Sequence, residues 1–400
     1  MTLHRLAACA AFIIGAAANA AEQGDLHARA VELTRQYPLV DTHIDVPYRI
    51  HASWADVTRA TAEGDFDFPR AKAGGLDVPF MSIYTPPELE HRGGAFQLAN
   101  ELIDGVEALV GRAPDRFVMV HSADDAEAAF KQGKIGLALG MENGSPIEGK
   151  LENIAHFAQR GIRYITLAHS ESNHISDSSF DEARPNGGLS EFGREVVAEM
   201  NRHGVMVDVS HLSDEAIFDV LEVSATPVIA SHSSARHLTP GFERNISDDL
   251  IRAVAAGGGV VMINFGSSFI MPEANDYLVR MRAERNAYLD EHAYPADGPE
   301  ASAWVVEFRA RHPFPFATLA QVADHFDHVI GLVGVDHVGI GSDYDGVGDS
   351  LPTGLKDVST YPNLVAELLR RGYAEADIKK ILGANLLRAW RANEAYASSR

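Results

Sequence analysis

Eight short runs of apolar and β-branched residues recur along this chain, separated by amphipathic stretches, and their ends carry the polar residues. The runs are Leu39–Ile44, Val78–Tyr84, Ile135–Met141, Tyr164–Leu167, Val205–Val209, Val228–Ala230, Gly259–Asn264 and Val338–Gly341. Near-continuous apolarity over so few residues is expected of parallel strands buried on both faces. Between them Ala95, Leu98, Leu102, Val106 and Leu109 keep helical spacing, as do Phe192, Val196, Val197 and Met200. Ser213 precedes Asp214 and Glu215 as a helix start, and Pro362 and Gly372 bracket another helix. Strand and helix alternating about eight times predict a (β/α)8 TIM barrel rather than a doubly wound sheet.

In such a barrel the C-terminal strand ends converge on one face. Five of the runs close on His43 and Asp45, Glu142, His169, His211 and His232, and the last delivers Asp343 and Asp345. Side chains two apart in a strand point the same way, so His43 and Asp45 face the interior together while Ile44 turns to the helices. Glu142 sits where an unpaired carboxylate would be costly, and His211 and His232 each follow an apolar run among small residues. Any one of these positions has an ordinary structural explanation, as a cap or a satisfied core histidine. Together they predict a metal site built from His43, Asp45, Glu142, His211 and His232. The set has room for two ions, with the imidazoles of His211 and His232 on one, His43 and Asp45 on the other, and Glu142 shared. No lysine ends the fourth run, so a carbamylated lysine is not the bridge. Nitrogen and oxygen donors without thiolate fit zinc best, with manganese or cobalt as alternatives.

The N-terminus reads as an export signal: Arg5, an apolar stretch from Leu6 to Ala18, then the small-residue motif Ala18-Asn19-Ala20. That stretch is shorter than the roughly 20 residues a spanning helix needs, so cleavage and a periplasmic or secreted protein with no stable membrane anchor are expected. Cys9 is the single cysteine and would leave with residues 1–20, so disulfides and thiol chemistry are excluded from the mature chain. A formal net charge of -22 excludes nucleic acid and anionic membrane as natural partners. Residues 21–400 read as one domain. One segment breaks the rhythm, Ile270–Pro315 after the seventh strand, a charged insertion that can serve as a lid over the active face or as a subunit contact. A homodimer is compatible with that second use.

The blocks Asp41-Thr42-His43-Ile44-Asp45-Val46-Pro47, Gly140-Met141-Glu142, Tyr164 through Ser170, Asp208-Val209-Ser210-His211, Ser231 through Ala235, Arg244-Asn245 and Gly341 through Val347 resemble, in order, those of the membrane (renal) dipeptidase family, zinc dipeptidases of the amidohydrolase superfamily. The resemblance runs from about Tyr37 to Ala392. It implies a dipeptide substrate cleaved by a hydroxide bridging two zinc ions, with His43, Asp45, Glu142, His211 and His232 as ligands and Glu142 as the bridge. It further implies that His169 contacts the substrate carbonyl oxygen, Arg244 holds the terminal carboxylate and Asp343 shuttles the proton, with Asp345 two residues on as the competing carboxylate. The disulfides and lipid-anchor signal of vertebrate members are missing, the loop after Glu142 reads Asn143-Gly144-Ser145-Pro146, and the Ile270–Pro315 insertion is longer. Those departures leave the preferred side chains open, including a D-residue at the C-terminal position. The nearest rival is another amidohydrolase reaction, on an N-acyl amino acid, a β-lactam or a lactone. A metal- or solute-binding protein without turnover is a more distant one, since it needs no proton shuttle.

Overall fold

A computed structural model describes residues 24–400; the expected export signal over residues 1–20 lies outside the described residues. Eight parallel strands close into a barrel. They are β1 (Leu39–Ile44), β2 (Leu76–Tyr84), β4 (Ile135–Glu142), β5 (Ile162–Thr166), β6 (Met206–Asp208), β7 (Ile229–Ala230), β8 (Val260–Ile263) and β9 (Val338–Ile340). Pairing of β2 with β4 and of β1 with β9 completes the ring. The remaining strand, β3 (Phe117–Met119), is a short addition that pairs with β4 beside the barrel. All eight expected runs are barrel strands, with ends that differ by one or two residues.

Two apolar layers hold the barrel. The outer one, between strands and helices, includes Ile44, Met81, Leu139, Ile165, Val207 and Ile263. The inner one fills the lumen with Val40, Val78, Phe80, Ala138, Tyr164, Met206, Ile229, Val260 and Met262. Close fit in the lumen requires small partners: a Cβ on Gly140 would stand 2.0 Å from the Tyr164 ring. Trp390, on the C-terminal helix Asn385–Ser398, packs 5.2 Å from Phe80, and Phe80 lies 5.5 Å from Tyr164. A stacked column therefore rises through the barrel to the ring that meets the active face.

The insertion is a pair of helices, Pro272–His292 and Pro299–Arg311, with a small core of its own around Ala274, Tyr277, Trp304, Phe308 and Phe314. Its start is stitched to the barrel by His325, a fully buried residue of the helix Leu319–Val333. His325 Nδ1 accepts from the Ala235 amide at 3.0 Å and Nε2 donates to the Ile270 carbonyl at 3.0 Å. The bond accepted at Nδ1 requires a neutral ring, and burial lowers its pKa to about 4.

This stitch has a pH signature. An unfolded histidine titrates near 6.5, so as pH falls the unfolded chain takes up the proton first and stability drops between about 6.5 and 4. Denaturant unfolding of His325→Gln at several pH values should show a flatter decline than wild type over that window. Identical slopes would contradict the role given to His325.

Candidate metal centre and active site

The carboxyl ends of the strands bring His43, Asp45, Glu142, His211 and His232 into one cluster. The Glu142 carboxylate is its hub. Its Oε2 lies 3.4 Å from His43 Nε2, and its Oε1 lies 3.2 Å from His211 Nε2, 3.4 Å from His232 Nε2 and 3.4 Å from His169 Nε2. Asp45 Oδ2 stands 3.5 Å from His43 Nε2 on the other side. Ligand atoms of His43, Glu142 and His232, of Glu142, His169 and His211, and of His43, Asp45 and Asp343 form three overlapping groups, each within 4.8 Å.

The chain fixes which imidazole nitrogen faces inward. Tyr164 Oη donates to the Thr42 carbonyl at 2.9 Å, so the 2.8 Å contact between Tyr164 Oη and His43 Nδ1 is a bond donated by the ring. His43 Nε2 is then the nitrogen turned toward the cluster, and it is buried with no hydrogen-bond partner. Burial opposes charge on this ring, but Tyr164, Glu142 and Asp45 around it raise its pKa well above the ordinary value, so the position favours positive charge, whether a proton or a cation. His232 is oriented in the same way. Ser231 Oγ donates to Asp208 Oδ2 at 2.6 Å and accepts from His232 Nδ1 at 2.7 Å, which leaves Nε2 bare. Asp208 is itself held by the amides of Ser210 and Ser231 at 3.0 and 2.8 Å and by the Thr166 hydroxyl. Hydrogen bonds behind the ligand are how metal sites set tautomer and ring angle.

The electrostatics fit a cation as well. Burial holds the His211 and His232 imidazoles well below their ordinary pKa, hence neutral as ligands must be. Burial also opposes the Glu142 charge, but His43 and His169 beside it more than reverse that and keep its carboxyl well below the usual range. His211 Nε2 and His232 Nε2 stand 2.9 Å apart, a distance at which two lone pairs need a proton or a cation between them. Zinc or a related divalent ion suits this donor set.

Around the cluster lies a cavity of about 700 Å³. His169, which ends the run through β5, lines it beside Tyr84 and Phe180. Leu278 and Arg282 of the insertion form part of the wall, so that segment overhangs the active face. Asp343 lines the cavity with its backbone in the left-handed region, φ 64°, and its Oδ2 accepts from Asn264 Nδ2 at 2.7 Å. Burial, with Asp45 next, raises its pKa well above the usual carboxylate range. Asp345 is engaged elsewhere: its carboxylate meets Arg49 Nε at 3.0 Å and accepts from the Asp65 amide at 2.6 Å. Arg244 is not a surface residue but 3% exposed, hydrogen-bonded to Ser233 Oγ at 2.9 Å and to the His232 carbonyl at 3.0 Å. Its guanidinium lies 5.2 Å from the Phe269 ring, and at this point Phe269 lines the cavity. Burial lowers its pKa to about 10, which leaves it charged at neutral pH.

The sequence points to the five candidate ligands that the fold brings together, but not to the residues that orient the cluster, Tyr164, Asp208, Ser231 and Asn264. The available signal was a polar group within or directly after an apolar run, at the same strand ends.

A closed parallel barrel with this His, Asp and Glu cluster at its carboxyl ends is the arrangement of a metal-dependent enzyme. The model of the membrane dipeptidase family, peptidase family M19, matches residues 27–400, and the chain belongs to that family of metal-dependent peptidases. It is 33% identical over 389 residues to the uncharacterized dipeptidase C965.12 of Schizosaccharomyces pombe, covering 92% of this chain and 83% of that one. Among solved structures, the probable dipeptidase PvdM from Pseudomonas aeruginosa superimposes with a TM-score of 0.82 at 28% identity, covering 93% and 99% of the two chains. The dipeptidase AC does so with a TM-score of 0.73 at 25% identity, covering 89% and 98%.

Loss of the relay behind His232 should be visible in metal affinity. Asp208→Asn keeps the shape but removes the charge that anchors Ser231, and should weaken metal binding by about 10- to 100-fold. Competition with a graded chelator series measures it. Wild-type affinity in the variant would contradict the relay.

Proposed function

We propose that this chain is an exported dipeptidase with two zinc ions, held by His43, Asp45, Glu142, His211 and His232. The observation that carries this is the split of the Glu142 carboxylate, one oxygen toward His43 and the other toward His211 and His232. When bound, such a pair of ions polarises the scissile carbonyl and activates water near neutral pH.

The protein residues supply the rest. His169, on the cavity wall beside Glu142, presents its Nε2 to the carbonyl oxygen as negative charge develops there. Asp343, with its raised pKa and Asn264 fixing one oxygen, takes the proton that water releases and gives it to the leaving amine. Asp345 is paired instead with Arg49 and accepts from the Asp65 amide, which draws its carboxylate away from that task. Arg244, buried behind Phe269 at the cavity wall, supplies the positive charge that attracts the free terminal carboxylate. A cavity of about 700 Å³ has room for either configuration at the C-terminal residue, so L,D-dipeptides are substrates along with L,L-dipeptides. Export rests on the pattern from Arg5 to Ala20 and is tested by the N-terminal residue of the mature protein.

A substrate panel separates this reading from hydrolysis of N-acyl amino acids, β-lactams or lactones. L-Ala-L-Ala and L-Ala-D-Ala should be the faster substrates, and amidation of the terminal carboxylate should lower kcat/KM by about 10²-fold. Arg244→Ala should suffer a similar loss on the free acid and little more on the amide. Equal cleavage of acid and amide by wild type would remove the role of Arg244. Faster turnover of an N-acyl amino acid or lactone would replace the dipeptidase reading.

A further inference from the structure

We propose that the cavity selects dipeptides carrying a glutamate-like side chain, and that Arg282 of the insertion is the residue that recognises its carboxylate. The inference rests on the dipeptidase reading above and names the substrate class of that same site.

The charges lining the cavity are unevenly matched. Asp45, Glu142 and Asp343 belong to the metal cluster, and Asp345 is neutralised by Arg49 at 3.0 Å. Arg282 is the remaining cation on the wall. Its neighbour Arg280 on the same helix pairs with Glu284 at 3.5 Å, and Arg309 of the second insertion helix pairs with Asp349 at 3.1 Å. Among the described residues Arg282 has no carboxylate within ion-pair distance. A cation at the mouth of a binding cavity, in a chain of net charge -22, creates a local potential opposite to that of the rest of the molecule.

The surroundings of Arg282 specify more than charge. Leu278 lies one helical turn before it on the same wall, and Phe269 and Val347 continue the apolar lining. An apolar strip ending in a guanidinium suits a methylene stem that ends in a carboxylate, and the planar fork can bind both oxygens at once. Aspartate has one methylene fewer and should fit less well. The metal cluster and Arg244 deal with groups every dipeptide has, whereas Leu278 and Arg282 are placed to read a side chain.

The test compares kcat/KM for Ala-Glu and Glu-Ala with their uncharged isosteres Ala-Gln and Gln-Ala, in wild type and in Arg282→Ala and Arg282→Glu, with Ala-Ala as the reference. At one of the two positions wild type should favour the glutamate substrate by about tenfold, mainly through KM, and the preference should shrink with added salt. Arg282→Ala should bring the ratio near one, and Arg282→Glu should invert it. A wild-type ratio of one or below, or a ratio unchanged in Arg282→Ala, would overturn the inference while leaving the dipeptidase reading intact. Equal slowing of glutamate and glutamine substrates in Arg282→Ala would overturn it too, because Arg282 would then hold a group common to all dipeptides. Absence of any Ala-Ala hydrolysis by wild type would instead remove the underlying reading, and the inference with it.

Discussion

Glu142 carries a negative charge at a position only 5% exposed, with four imidazole nitrogens 3.2 to 3.4 Å from its two oxygens. Burying that charge is favourable only if positive charge is held beside it. Two of the four imidazoles, His211 and His232, are kept neutral by burial, while His43, turned inward by Tyr164, is held charged against burial by its neighbours, Glu142 and Asp45 among them, so a proton there stands where a cation would bind. A divalent cation between these groups resolves the imbalance, which makes metal affinity and the local fold parts of one equilibrium. The outer hydrogen bonds then acquire a purpose. Tyr164, Ser231 and Asp208 each remove one protonation choice from a ligand before any ion arrives.

The same region stores backbone strain. Asn143 (φ 78°), His211 (φ 71°) and Asp343 (φ 64°) all occupy left-handed conformations without being glycine. Each follows or carries a functional side chain at a strand end, where the chain must turn sharply to aim that side chain into the barrel mouth. Beneath them the packed column of Trp390, Phe80 and Tyr164 fills the barrel. Gly341 allows another close approach: a Cβ there would stand 1.9 Å from the Ser231 carbonyl, so only glycine lets β9 end beside the His232 loop.

Much of this was legible because parallel barrel strands are short, apolar on both faces and functional at one end. Leu39–Ile44 and Ile135–Glu142 announce both a strand and, at its end, a candidate metal ligand, His43 or Glu142. The orienting residues were not legible. Tyr164 reads as one more bulky core residue, and Asp208 as the polar end of a strand, until the fold sets them 2.8 Å from His43 and 2.6 Å from Ser231. Strand β3 was missed because three residues outside the barrel, Phe117–Met119, leave no period to read. The insertion was visible as a helical, charged segment. Its position over the cavity was one of the two uses the sequence left open, and the contacts of Leu278 and Arg282 depend on how the helix pair packs around Trp304 and Phe308.

Whether Glu142 holds two cations in one site, as proposed, is decided by the metal content of the protein. Elemental analysis of metal bound per chain, on protein stripped with chelator and reloaded with zinc, tests it most directly. Wild type should hold about two zinc ions per chain and Glu142→Gln one or fewer, because the amide lacks the charge that both cations would share. Two tightly held ions in Glu142→Gln, or full dipeptide turnover by metal-free wild type, would contradict it.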